Sequence, residues 1–115
     1  MTLSAAHFSA FFAEVERSAQ VWTIRDKGGH PAPESNEARA MPFWSTRKRA
    51  QRIVDEVAAY RGFDIMAVPL DHWRERWLPG LQRDGLLLGL NWSGDRATGY
   101  DVDPADVLAR LSGQD

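Results

Sequence analysis

The chain has 115 residues, no cysteine and a formal charge of −2 from 16 acidic and 14 basic side chains. That length suits one domain, 1–115, around its own core. The missing thiols exclude disulfides, cysteine nucleophiles and cysteine-bound zinc, and the net charge excludes a general affinity for polyanions.

The start, MTLSAAHFSAFFAEVERS, lacks the charged opening and apolar run of a signal peptide, and no stretch approaches the roughly 20 apolar residues that span a bilayer. A cytoplasmic location without a membrane partner is expected. Residues 4–19 predict a helix capped by Ser4, with Phe8, Phe11, Phe12 and Val15 at the spacing of one buried stripe and Glu14, Glu16 and Arg17 pointing elsewhere. Val21–Asp26 predicts a strand, with Trp22 and Ile24 on one face and Val21 and Thr23 on the other. Residues 30–40 carry Pro31 and Pro33 and predict a loop, or at best an edge strand. Ala40–Trp44 extends into a sheet. Ser45 or Thr46 then caps a helix running to about Arg61, whose apolar stripe is Ala50, Ile53, Val54, Val57 and Ala58, with Gly62 in a left-handed turn.

Phe63–Val68 alternates as a half-buried strand. Asp71 is placed to cap a short helix with Trp73 and Trp77 on its inner face, and Pro79-Gly80 stops or kinks it. Leu86–Trp92 is the most apolar run; alternation puts Leu86, Leu88, Leu90 and Trp92 on one face, with Gly89 and Asn91 on the reverse. Residues 93–99 predict a hairpin loop into a strand at 99–102. Asp103-Pro104 starts a last helix docked by Val107, Leu108 and Leu111. The sum is α+β: a mostly antiparallel sheet of four to five strands with about four helices packed against it.

Several of these residues together resemble a bacterial family of small domains of unknown function, family 2750. They are Val21-Trp22-x-Ile24-x-Asp26 with glycines following, Met41-Pro42-Phe43-Trp44-Ser45, Leu70-x-x-Trp73-x-x-x-Trp77-Leu78-Pro79-x-Leu81, and Asp84-Gly85 before an apolar strand. The likeness covers about residues 8–111, and WLPGLQRDG is its most specific part. A fainter similarity of layout links the chain to the N-terminal domain of the enhanced-serine-sensitivity secretion proteins, through a proline-aromatic-serine strand end before a helix and a later apolar strand carrying Asn. The resemblance implies an α+β fold and a bacterial, cytoplasmic setting, and transfers no activity and no catalytic residue. Pro31 and Pro33 depart from its pattern, which suggests an ordinary strand there.

No chemistry announces itself. His7, His30 and His72 have no second ligand at helical spacing, so no metal is expected. There is no G-x-S-x-G elbow and no glycine-rich phosphate loop, so no cofactor and no catalytic residue is assigned. Capping explains Asp101 and Asp103. Charge, however, is unevenly spread: residues 39–52 hold five cations and no carboxylate, whereas residues 53–115 hold eleven carboxylates against six arginines. Lys48 and Arg52 fall on the wet side of their helix, with Arg52 in reach of Asp55 and Glu56. An ordinary solvated face is one account. The other starts from Arg47, Lys48 and Arg49 in the first turn, where cations oppose the helix dipole and a docked anion would relieve them. The candidate anion site is therefore Ser45, Thr46, Arg47, Lys48, Arg49 and Arg52.

Five tryptophans are several times the usual share, and most read as core. Trp44, at a strand end beside the basic turn, is expected to be partly exposed and with Arg47 to mark a partner-binding edge. The expected function is a non-catalytic binding or adaptor module for an acidic protein partner or small anion. The alternative is a small enzyme acting on a phosphate- or carboxylate-bearing substrate. Nucleic acid is not an expected partner, because the patch is short and no nucleic-acid fold signature accompanies it.

Overall fold

The computed structural model of the chain describes residues 3–35, 38–94 and 98–113. The architecture is α+β. Strands β1 (Gln20–Arg25) and β4 (Asp64–Pro69) pair antiparallel; β2 (Glu34–Ser35), β3 (Ala38–Phe43), β5 (Leu87–Ser93) and β6 (Thr98–Val102) form a second section in the order β2-β3-β5-β6. All neighbours are antiparallel except β3 and β5, which run parallel from Ala40↔Leu87 to Phe43↔Leu90. The 30–40 segment thus resolves into a short strand pair, Glu34–Ser35 against Ala38–Arg39, after a proline-containing stretch outside the sheet.

The two sections meet where Trp22 and Trp44 exchange both backbone hydrogen bonds, at 2.8 and 2.7 Å. Pairing stops there because Pro42 has no N–H. The Ile24 carbonyl, which would face that missing donor, accepts from His30 Nδ1 at 3.0 Å, while Thr23 Oγ1 donates to the Pro42 carbonyl at 2.9 Å. His30 therefore serves the backbone.

Helices cover both faces. On one, α1 (Leu3–Ser18) lays Phe11, Phe12 and Val15 against Val21, Phe43, Val68, Leu88 and Leu90, joined by Val107 of α5 (Pro104–Leu111). The side chain of Ser4, the expected cap, lies outside the described residues. On the other face, α2 (Arg47–Glu56) brings Ala50 and Ile53 to Ile24, Ala40, Trp44 and Trp92. Helix α2 stops sooner than expected, at Glu56, and a 3-10 turn (Ala58–Tyr60) leads to Gly62, whose φ of +85° is left-handed.

Leu70–Arg83 is one helical path in three segments: α3 (Leu70–His72), a π turn (Trp73–Trp77) and α4 (Leu78–Arg83). Pro79 neither stops it nor breaks the core. Its ring would crowd the carbonyl four residues back, and the widened π turn just before it accommodates the missing donor. Trp73 is fully buried and Trp77 half-buried, both edge-on to Phe43 at 5.4 and 5.8 Å. Asp71 does not cap: Pro69 precedes the first turn, and among the described residues Asp71 Oδ1 accepts from the His72 amide alone.

Strand β5 departs most from simple alternation. Leu88 and Leu90 belong to the α1 core, but Trp92 belongs to the α2 core. The cause is Asn91, left-handed at φ 52°, within a register irregularity between Leu90 and Ser93. One bulged residue turns the following side chain to the opposite face. β5 and β6 pair as the expected hairpin, though residues 95–97 of its loop lie outside the described residues.

Candidate functional site

The parallel pair ends its two strands side by side, at Ser45 after β3 and Asn91 in β5, immediately before α2 begins. Thr46 is the helix cap: its backbone is extended, and its Oγ1 accepts from the Arg49 amide at 3.2 Å. Ser45 is fully buried. Its amide donates to Asn91 Oδ1 at 2.9 Å, and its hydroxyl accepts from Asn91 Nδ2 at 3.0 Å and donates to Glu14 Oε1. Asn suits this place for two reasons, since it tolerates the left-handed backbone and carries both a donor and an acceptor.

Glu14 arrives from α1. Its carboxylate accepts from Arg49 Nε at 3.0 Å and from Nη2 at 3.1 Å, a bidentate pair whose side chains are 26% and 43% exposed for Glu14 and Arg49. The Arg49 guanidinium holds the Glu14 carboxyl below its ordinary range; partial burial opposes this and the Ser45 hydroxyl adds to it. The anion that the first turn of α2 calls for is thus supplied from within the chain. Glu14 sits beside the cations that oppose the helix dipole and offsets them.

The six expected anion-site residues therefore separate. Ser45, Thr46 and Arg49 are spent on Asn91, the helix amide and Glu14. Lys48 and Arg52 stay exposed, and both line an open concavity of 440 Å³ beside Glu14. With Arg47 they also line a broader one of 590 Å³ that reaches Gln51, Asp55 and Glu56. Arg52 forms no ion pair among the described residues; Asp55 instead accepts from Gln51 Nε2 at 2.9 Å.

The expected Trp44–Arg47 edge is corrected. Trp44 is 0% exposed, with its indole Nε1 donating to the Trp92 carbonyl at 2.8 Å. Its backbone exchange with Trp22 draws it into the sheet, and α2 closes over that face. Arg47 lies instead over the ring of Trp22, 5.9 Å from its centroid, and Trp22 is half-buried. A tryptophan does accompany the basic turn, but it comes from β1.

Sequence reasoning missed Glu14 and Asn91. Glu14 stands one position before Val15 at the border of the apolar stripe, and Asn91 interrupts an apolar run; both features are visible, but neither names its partner. Among the described residues, no cluster of three or more His, Asp or Glu could hold a metal, and no helix is long and apolar enough to cross a membrane.

The sequence model of the family described as "protein of unknown function (DUF2750)" matches residues 8–111. No curated protein matches the chain. The family match says nothing about the fainter likeness to secretion proteins.

Proposed function

The chain belongs to the DUF2750 family, and from the geometry of its second helix we propose that it is a non-catalytic binding module that docks an acidic protein surface on the outer side of α2. The supporting observation is the division of the basic turn. Arg49 is neutralised by Glu14, while Arg47, Lys48 and Arg52 remain exposed along the outer side of α2 and, among the described residues, form no ion pair. Exposed cations of this kind steer encounter and select the sign of the partner more than they add affinity. Trp22, half-buried beneath Arg47, supplies an aromatic contact at the border of that face.

The enzyme reading draws less support. A phosphate grip at this turn needs the Ser45 amide and hydroxyl, and both are already bonded within the fold. A partner surface needs neither. The test is an amide-resolved NMR titration with a short polyglutamate peptide at low salt. Shifts should gather at residues 47–52, weaken steeply with added salt, and lose about tenfold in affinity in Lys48→Glu/Arg52→Glu. Shifts elsewhere, or affinity unchanged by the charge reversal, would overturn the reading.

A further inference from the structure

Helix α2 is charged against its own dipole at both ends. Arg47 and Lys48 open it and Asp55 and Glu56 close it, with no carboxylate in the first turn and no cation in the last. Glu14 neutralises Arg49 alone; these four residues are exposed and in no ion pair among the described residues. The 590 Å³ concavity on this side is lined by Arg47, Lys48, Gln51, Arg52, Asp55 and Glu56, all from α2. Those six positions are symmetric. Reversing the helix about the point midway between Gln51 and Arg52 returns the same six, and it sets Arg47 on Glu56 and Lys48 on Asp55. At about 100° per residue, Lys48 and Asp55 lie along the middle of this stripe, with Arg47 and Glu56 at its two borders.

We propose that the acidic surface docked on α2 is α2 of a second copy of the chain, antiparallel, with the two-fold axis level with that midpoint. The inference rests on the outer side of α2 being a site for an acidic protein surface. Lys48 of each copy meets Asp55 of the other, and Arg47 of one and Glu56 of the other flank each pair, so the charge match occurs twice. An unrelated acidic surface relieves only the N-terminal turn. An antiparallel copy brings carboxylates to the first turn and cations to the last turn of both helices, and this selects the chain's own helix as the partner. Nearest the axis each Arg52 opposes its counterpart. With a short, polar contact, this makes the dimer weak and salt-sensitive.

Sedimentation of the full chain up to about 1 mM, at low salt and at about 0.2 M, tests this. We expect a monomer–dimer equilibrium that weakens about tenfold or more with the added salt. Lys48→Glu and Asp55→Lys should each weaken it about tenfold or more, because each sets like charges together twice. Both positions are exposed, so the variants should keep the native circular dichroism. Mixed in equal amounts, the two variants should form a heterodimer about as strong as the native dimer, since each then meets its opposite at both ends. A chain that stays monomeric at about 1 mM in low salt overturns the proposal. Polyglutamate shifts at residues 47–52 would then leave the acidic-partner site standing, and their absence would remove both. A dimer indifferent to either charge change, or variants that do not associate on mixing, overturns the proposal as well.

Discussion

Gly89 leaves bare the patch of sheet on which the Trp92 indole rests. A Cβ built there would stand 2.1 Å from Trp92 Cε2, a separation no packing can absorb. The indole is also anchored, Nε1 donating to Asp101 Oδ1 at 2.9 Å, while Ser35 Oγ donates to the other carboxylate oxygen. Gly89→Ala must therefore expel Trp92 and break that bond, at a cost of about 3 kcal/mol. Gly28→Ala, whose Cβ would meet Asp26 Oδ1 at an ordinary 3.4 Å, should change stability by under about 0.5 kcal/mol. Urea midpoints for the two variants check the contrast, and equal midpoints would dismiss this account of Trp92. Alternation alone could not have found this arrangement. Strict period two sends Trp92 to the face of Leu90, and only the left-handed backbone of Asn91 reverses it. Trp44 was misjudged for a related reason: position at a strand end says nothing about which helix later closes over it.

At the level of elements, the periodic parts were the legible ones. The stripe Phe8-Phe11-Phe12-Val15 fixes the buried side of α1, and Ala50, Ile53 and Val54 that of α2 with Val57 just after it, because burial sets a 3.6-residue rhythm in the sequence. Ala58, expected in the same stripe, is exposed because the helix has already given way to the 3-10 turn. What joins α1 to α2 is aperiodic. The Glu14–Arg49 pair links residues 35 apart, and local spacing cannot register it. That clamp carries a pH signature. The folded Glu14 carboxyl titrates below its ordinary 4.5, so its stabilising effect is present in full above that value and disappears as pH falls through the lowered one. Glu14→Gln removes the ion pair and should cost about 1 kcal/mol at neutral pH, bidentate geometry and partial burial placing it at the upper end for such pairs. Measured by denaturant unfolding, the gap between the two proteins should close in acid. A gap of constant size at every pH would mean the carboxylate charge is not what holds α1 to α2.

Across the whole molecule, two sheets bridged at Trp22 and Trp44 separate two apolar clusters, and the question is whether the clusters melt together. Every strand that joins them faces both ways: β1 gives Val21 to one cluster and Ile24 to the other, β3 gives Phe43 and Ala40, and β5 gives Leu90 and Trp92. Neither cluster can lose its strands without stripping the other, so the chain should unfold as a single domain. The weakest seam is between the sheet sections, where Pro42 limits β1 and β3 to the single Trp22–Trp44 exchange. The tryptophans report on the two clusters: Trp73 and Trp77 with α1, Trp22, Trp44 and Trp92 with α2. Unfolding followed by tryptophan fluorescence and by far-ultraviolet circular dichroism should therefore coincide. Calorimetry should give one peak of about 80 kcal/mol, the typical enthalpy for a chain of this length. Mutating Trp22, Trp44 and Trp92 to Phe leaves only the α1-side reporters, Trp73 and Trp77. If their transition then separated from the backbone signal, the two clusters would melt as separate units and the strands they share would not couple them.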